Sequence, residues 1–333
     1  MFRKSPILSL LLAVLAYFAL WLLVPKATFL PAIVNDLTSS LKFVNPNTAA
    51  GIRLFSSMLM AAPTVAFMAI QIAIIYFFTK LNLKFRQALL ALVLCIVSIA
   101  GLVSFVIWQA GIAAKLGHYP NLKEQLILIS YYQGILKMPY ILFIMFASIN
   151  IGYLVSLRVL DKNLLLPVVM FAACVDLWTV TQGPVAAMLN KVPEVASAVS
   201  APIPQVGTGA FMPSTLIGPG DFIFMALVFA AVHRLKMNAP RNYLYIFVSM
   251  TIGMLTVMFG ILPFFPALIT LAIAVVAANR REFNLSRQEK VSTAIVGILL
   301  FASLPLVWSI LRPSVEEGTK KPAVSTSSKN RDK

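Results

Sequence analysis

The chain has 333 residues, of which 60% are hydrophobic and only 11% are charged, and its mean hydropathy is +0.89. A soluble globular protein of this length cannot remove so much apolar surface from water, so the composition excludes that class and indicates a membrane protein. The net charge of +16 does not indicate nucleic-acid binding, because the basic residues fall in short loops and at the C-terminus.

Apolar segments long enough to cross a bilayer as helices recur from the N-terminus to residue 311. The connector at 25–52 has apolar residues four positions apart, which predicts a helix lying at the membrane surface. Residues 124–137 fit either the start of the fourth span or a surface segment. We therefore predict an all-α fold, a polytopic membrane bundle of about nine transmembrane helices, near residues 6–24, 54–79, 87–110, 138–158, 163–183, 214–235, 241–260, 264–279 and 291–311.

Three parts of the chain follow from this pattern. Residues 1–160 are predicted to hold the N-terminal membrane helices, residues 161–311 the helices that carry the functional motifs, and residues 312–333 a disordered polar tail. When nine spans alternate, the basic loops share one side, which the positive-inside rule assigns to the cytoplasm. The nearly uncharged connector 184–213 is then outside, and so is the basic tail, against the same rule.

Two acidic residues, Asp176 and Asp221, lie well inside long apolar segments. A carboxylate at membrane depth is costly to keep ionised, so such residues face a protein interior or a water cavity and indicate a functional site. Asp176 precedes Gly183-Pro184, where its helix is expected to end, and Asp221 follows Ser214, where the next helix is expected to begin. Both carboxylates are therefore predicted to lie roughly 10 Å below the same membrane face.

Such a pair of carboxyl groups has a definite chemistry. Two carboxyls held a few ångströms apart do not both ionise easily, so they share one proton and act as a general base and a general acid at the same pH. They can activate a water molecule and protonate the departing amine of a peptide bond without any cofactor. Cys95, Cys174 and the two histidines have no metal-ligand spacing, so we predict no metal site.

Two further motifs surround the aspartates. Gly218 and Gly220 have no Cβ, so another helix or a substrate backbone can approach beside Asp221, and Pro219 removes a backbone donor at the helix entrance. The segment Pro266-Ala267-Leu268 opens the eighth predicted span on the side of both aspartates. An irregular helix start there is expected to line a cavity and to hydrogen-bond an unwound substrate strand.

Asp176 in an apolar helix, the tetrad Gly218-Pro219-Gly220-Asp221 and Pro266-Ala267-Leu268 together resemble the presenilin and signal peptide peptidase family of intramembrane aspartyl proteases. The resemblance covers roughly residues 163–280. It implies that Asp176 and Asp221 are the catalytic dyad, that Gly218 and Gly220 allow close packing, and that Pro266, Ala267 and Leu268 shape the active site. It also implies that the partners are transmembrane helices of substrate proteins in the lipid bilayer, and it implies no cofactor.

The chain departs from the family pattern in several respects. Val175 stands where family members usually have Tyr, and the short connector between the aspartates implies no self-cleavage. The segment 291–311 follows the Pro-Ala-Leu motif, which the family normally has in its last helix. The predicted orientation resembles signal peptide peptidase, which implies type II substrates. The lack of a long cytoplasmic loop and of an obvious retrieval signal favours a prokaryotic cell (inner) membrane.

Two other functions fit part of the sequence. An ion-coupled transporter also uses broken helices with Gly-Pro interruptions and membrane carboxylates, but the sequence has no inverted repeat and no basic partner in the membrane near the aspartates. A catalytically inert family member that acts as a binding partner is the second alternative. The predicted function is an aspartic endopeptidase that cleaves within the membrane.

Overall fold

The structure is a computed structural model that describes residues 5–26, 29–39, 46–112, 115, 117–132, 135–181, 193–202, 216–258, 267–299 and 302. The described chain is almost entirely helical, as the sequence predicts. Its helices are α1 (Pro6–Leu23), α2 (Phe29–Ser39), α3 (Pro46–Thr79), α4 (Phe85–Gln109), α5 (Leu122–Tyr131), α6 (Lys137–Ser156), α7 (Leu165–Thr181), α8 (Pro193–Val199), α9 (Pro219–Arg234), α10 (Ala239–Met258), α11 (Ala267–Asn279) and α12 (287–299). A 3₁₀ turn (Val24–Lys26) follows α1, and two short strands, β1 (Ala201–Pro202) and β2 (Leu216–Ile217), pair in antiparallel register.

Four helical segments in the described part of the chain are long and apolar enough to cross a membrane: Pro6–Lys26, Phe55–Thr79, Phe85–Gln109 and Lys137–Ser156. Two shorter apolar helices lie at Leu165–Thr179 and Ala267–Asn279. The apolar side chains of α4 point largely outward, since Leu90, Val97 and Trp108 are 62%, 61% and 75% exposed. An outward apolar surface of this kind fits contact with lipid and not with water, which indicates a membrane protein.

Several helix boundaries differ from the predicted ones. The helix α3 begins at Pro46 and not near residue 54, and α12 begins at residue 287 and not at 291. Residues 122–131 form a separate short helix, α5, which ends before the fourth long helix begins at Lys137. The predicted surface helix within 25–52 is confirmed as a helix, α2. The predicted disordered tail, residues 312–333, lies outside the described residues.

The helix α9 is the central helix of the bundle. It packs most extensively against α6 and also contacts α3, α7, α10 and α11. Its side chains from Met225 to Val232 are all buried, as expected of a helix that is apolar on every side. The main hydrophobic cluster includes residues from both the 1–160 and the 161–311 parts, among them Met145, Ile149 and Phe229. The first turn of α9 is thereby fixed at one end of this core.

Three of the basic loops, at 157–164, 235–238 and 280–286, meet at one end of the bundle. Glu282 accepts a hydrogen bond from Lys162 Nζ (3.2 Å) and another from the backbone N–H of Asn238 (3.0 Å), which joins three loops. Arg234 donates to the backbone oxygens of Ser156 and Val159 beyond the end of α6. The cytoplasmic location of this end stays a prediction.

A buried amide pair joins α10 to α11 near the same end. Asn242 Nδ2 donates to Asn279 Oδ1 (2.8 Å) and Asn279 Nδ2 donates to Asn242 Oδ1 (2.7 Å), and neither residue is exposed. Buried amides are stable only when they are hydrogen-bonded, so this reciprocal pair fixes the axial register of the two helices. It thereby sets the height at which α11 begins at its other end.

Candidate active site

Asp176 lies on α7, five residues before the last residue of that helix, and its side chain is partly buried. Its Oδ2 accepts a hydrogen bond from the backbone N–H of Leu268 at 3.0 Å. Leu268 is the second residue of α11, and the first N–H groups of a helix have no partner within the helix. The first turn of α11 therefore holds the Asp176 carboxyl through a backbone donor that needs no particular side chain.

Asp221 is the third residue of α9, directly inside the helix start. Its Oδ2 accepts from the backbone N–H of Gly218 (3.2 Å), and its own N–H donates to the Gly218 carbonyl at 3.2 Å. Gly218 is the extended N-cap and Pro219 is the first helical residue, where a missing N–H has no consequence. The predicted helix start at Ser214 is therefore wrong: residues Leu216–Ile217 are extended and paired with β1, so the helix cannot begin before them.

The two aspartates and the start of α11 meet in one place. The helices α7 and α9, which carry Asp176 and Asp221, are in contact, and both contact α11. Asp176 is in turn bonded to Leu268. The structure thus gathers residues from three motifs that are far apart in the sequence.

The Pro-Ala-Leu segment is described in part. Ala267 is 9% exposed and Leu268 is 5% exposed, so both side chains pack into the core while the backbone of Leu268 faces Asp176. Pro266 lies outside the described residues. Within the described chain, the contribution of this segment to the site is a backbone N–H.

In the described part of the chain, no helix packs closely against the glycines of the tetrad. Gly220 is exposed, and no described atom lies within 4 Å of the position that a Cβ on it would take. A Cβ on Gly218 would lie 3.7 Å from Asp221 Oδ2 and 4.0 Å from the backbone nitrogen of Gly220, which are ordinary van der Waals distances. No described atom fills the space beside Gly220, which directly precedes Asp221.

We expect Gly220→Ala to leave the thermal stability unchanged, because the added methyl group meets no described atom. If a substrate backbone passes over this residue, the methyl group raises KM for a transmembrane peptide roughly tenfold, the effect of one misplaced contact of about 1.4 kcal/mol. The measurement is a steady-state cleavage assay on purified protein, with Gly101→Ala, an exposed glycine of α4, as the control. An unchanged KM would show that the substrate passes elsewhere.

No family model matches this chain. The curated proteins and the solved structures also contain no match. The resemblance to intramembrane aspartyl proteases therefore depends on the motifs and their positions in the fold.

Sequence reasoning missed Gly152, which positions the Asp221 helix. Gly152 is buried on α6, and a Cβ on it would lie 2.1 Å from the backbone oxygen of Ile223. Ile223 is two residues beyond Asp221, so α6 and α9 touch backbone to backbone directly beside the site. A signal was present in the sequence, because Ser148, Gly152 and Ser156 are small residues four positions apart, the spacing that lets membrane helices approach closely.

The described residues contain no group of three or more His, Cys, Asp or Glu side chains that could hold a metal ion. Both cysteines, Cys95 and Cys174, are free and buried. The chemistry that the described site offers is therefore that of two carboxyl groups with backbone donors beside them.

Proposed function

We propose that this protein is an intramembrane aspartyl protease of the presenilin and signal peptide peptidase type. It would hydrolyse peptide bonds within transmembrane segments of other membrane proteins, with Asp176 and Asp221 as the catalytic dyad. The observation that carries the proposal is the hydrogen bond from Leu268 to Asp176, made where the helix of Asp176 contacts both α11 and the helix of Asp221. Three motifs separated in the sequence supply two carboxyls and one backbone donor to one place, which is the arrangement that aspartyl catalysis needs.

The proposed reaction proceeds by direct attack of water. One carboxylate removes a proton from the water as its oxygen bonds to the carbonyl carbon, and the protonated carboxyl donates a proton to the carbonyl oxygen. The tetrahedral intermediate then breaks its C–N bond as the proton held by the first carboxyl passes to the departing amine, and one hydroxyl group of the intermediate returns its proton to the second carboxylate. The products are a new carboxyl terminus and a new amino terminus, and the dyad returns to its starting protonation.

The substrate has to reach the dyad as an extended strand, because a helix hides its peptide bonds. The strand β2 ends directly before Gly218 and pairs with β1 through one edge. An unwound substrate segment can add to its other edge, and the open space beside Gly220 leaves room for it. This arrangement supports a transmembrane helix as the substrate, and no cofactor takes part.

The experiment that tests the proposal is incubation of the purified protein, in detergent or vesicles, with a labelled transmembrane peptide. Mass spectrometry is expected to find two fragments whose masses sum to that of the peptide plus one water. A protein that drives solute uptake into vesicles under an ion gradient without cutting the peptide would instead be a transporter. A protein that binds the peptide without cutting it would be an inert binding partner.

The nine-span arrangement belongs to this proposal, with the basic loops in the cytoplasm of a prokaryotic cell and the cell (inner) membrane as the location. We expect reporters fused in the loop at 157–164 and after residue 236 to be active on the cytoplasmic side. A reporter fused within 184–213 is expected to be active on the opposite side. A cytoplasmic signal from the 184–213 fusion would contradict the predicted orientation. The expected preference for type II substrates, which depends on that orientation, would then have no support.

A further inference from the structure

The last described helix, α12, begins with a side-chain cap that ties it to the start of α7. Ser286 and Glu289 form a reciprocal capping pair, in which Ser286 N–H donates to Glu289 Oε2 (2.6 Å) and Glu289 N–H donates to Ser286 Oγ (3.2 Å). The hydrogen bond with the Ser286 backbone is the main reason why the pKa of Glu289 lies below its ordinary value. Hydrogen bonds with the side chains of Ser286 and Asn163 lower this pKa further. The cap is therefore ionised at neutral pH.

Asn163 bridges this cap to α7, because it lies two residues before the start of that helix. Its Nδ2 donates to the backbone oxygen of Asn284 (3.1 Å) and to Glu289 Oε1 (3.3 Å). The Asn163 side chain thus joins the segment that leads into α7 to the first turn of α12 and to the loop before α12.

A second contact joins the same two helices farther along. Gly297 is the buried residue of α12, and a Cβ on it would lie 2.6 Å from Met170 Cε on α7. Glu289, Thr293 and Gly297 follow one another at intervals of four residues, so they lie on the same face of α12, and all three are at least partly buried. By contrast, Ile298 and Leu299 are 68% and 63% exposed. The α12 face that includes Gly297 is therefore the one turned to α7.

The two contacts define a parallel pair of helices. The two contacts are seven residues apart on one side, from Asn163 to Met170, and eight apart on the other, from Glu289 to Gly297. Both helices therefore run in the same direction away from the basic end, with nearly the same spacing between the two contacts. Met170 lies six residues before Asp176, about 1.7 helical turns or about 9 Å along the axis. Contact at two heights fixes both the tilt and the axial position of α7 below the carboxyl.

We propose that α12 is a strut that holds α7 in position, so that Asp176 is level with the Leu268 N–H and with Asp221. The strut explains the segment that follows the Pro-Ala-Leu motif, for which the resemblance gives no role. Its effect on catalysis rests on the proposed function, whereas its effect on the position of α7 does not. Asn163, Met170 and Gly297 are then positioning residues and not catalytic ones.

The test is a compensating pair of substitutions. Gly297→Leu puts a side chain where Met170 Cε now lies, and Met170→Ala removes the group that it would strike. The distance between α7 and α12 is measured by pulsed electron paramagnetic resonance, with spin labels on Phe171→Cys and Ile298→Cys, two exposed positions. The background carries Cys95→Ala and Cys174→Ala, which removes both native thiols.

We expect Gly297→Leu to lengthen the label distance and to lower kcat for a transmembrane peptide roughly ten- to a hundredfold, the effect of a displacement of about 1 Å at a reacting group. KM is expected to change less than about twofold, because no described atom of α12 lies within 4 Å of the Cβ position at Gly220. Adding Met170→Ala is expected to restore both the distance and kcat. A matched control, Gly51→Leu, places the same side chain where no described atom lies within 4 Å.

The outcomes distinguish a failure of the proposed positioning role of α12 from a failure of the proposed protease activity. An unchanged label distance in Gly297→Leu, or no restoration by Met170→Ala, contradicts the strut. A changed distance with unchanged kcat contradicts its effect on Asp176. If the wild-type protein cuts no peptide, the proposed function and the catalytic effect both fail, and the distances still decide whether α12 holds α7. If Gly297→Leu does not fold, Asn163→Ala releases the other contact and is expected to lengthen the same distance.

Discussion

Asp176→Asn and Asp221→Asn are each expected to lower kcat for cleavage of a transmembrane peptide about a thousandfold or more. An amide neither accepts a proton from water nor donates one to a leaving amine at neutral pH. Because the two carboxyls act as one unit, the double variant is expected to be no worse than either single variant. The measurement is single-turnover cleavage by purified protein, with the fragments identified by mass spectrometry.

The matched control for these variants is Asp161→Asn. Asp161 is an exposed carboxylate in the loop before α7, and its loss is expected to leave kcat within about twofold of the wild type, as a distant surface substitution should. Asparagine is nearly the size of aspartate, so all three variants are expected to keep the wild-type melting temperature to within a few degrees. Cleavage retained by either Asp176→Asn or Asp221→Asn removes the dyad assignment.

Gly152→Ala is expected to have the second largest effect on kcat and stability, because the position of the added methyl group is already occupied by another helix. The atom that it would strike is a backbone oxygen on the central helix, Ile223 O at 2.1 Å, and a backbone atom moves only with its helix. Overpacking of this kind lowers the free energy of unfolding by about 1–3 kcal/mol. The displaced helix carries Asp221 two residues away, so kcat is expected to fall together with stability.

The control for Gly152→Ala is Gly101→Ala, a substitution of the same type in the middle of α4. Gly101 is exposed, and no described atom lies within 4 Å of its Cβ position. Because alanine is favoured over glycine in a helix by about 1 kcal/mol, this variant is expected to be as stable as the wild type or slightly more so. Equilibrium unfolding in mixed detergent micelles compares the two. Equal free energies of unfolding would contradict the close backbone contact of α6 with α9.

Much of the site follows from local sequence. Asp176 and Asp221 stand out because a carboxylate within an apolar segment is rare, and the helices that carry them are in contact. Unpaired backbone groups at the Pro-Ala-Leu segment were expected to bind a substrate strand, whereas the structure directs the N–H of Leu268 to Asp176, a contact that the sequence did not predict.

The remaining features depend on contacts between distant segments. Ser214 is a good helix cap on its own, and only the pairing of Leu216–Ile217 with Ala201–Pro202 moves the helix start to Pro219. Asp221 therefore lies in the first helical turn and not two turns deep. Gly152 looks like any glycine in a membrane helix until α9 is placed beside it. The role of α12 depends in the same way on Met170, more than a hundred residues earlier in the chain.

The most direct test of the dyad is the binding of a transmembrane peptide in which a hydroxyethylene group replaces one peptide bond. Its hydroxyl group takes the place of the attacking water between the two carboxyls, so the wild-type protein is expected to bind it at least a hundredfold more tightly than the unmodified peptide. Asp176→Asn and Asp221→Asn are each expected to lose this preference, while Asp161→Asn keeps it. Equal binding of the two peptides by the wild type, or tight binding that survives either substitution, would contradict catalysis by this pair of aspartates.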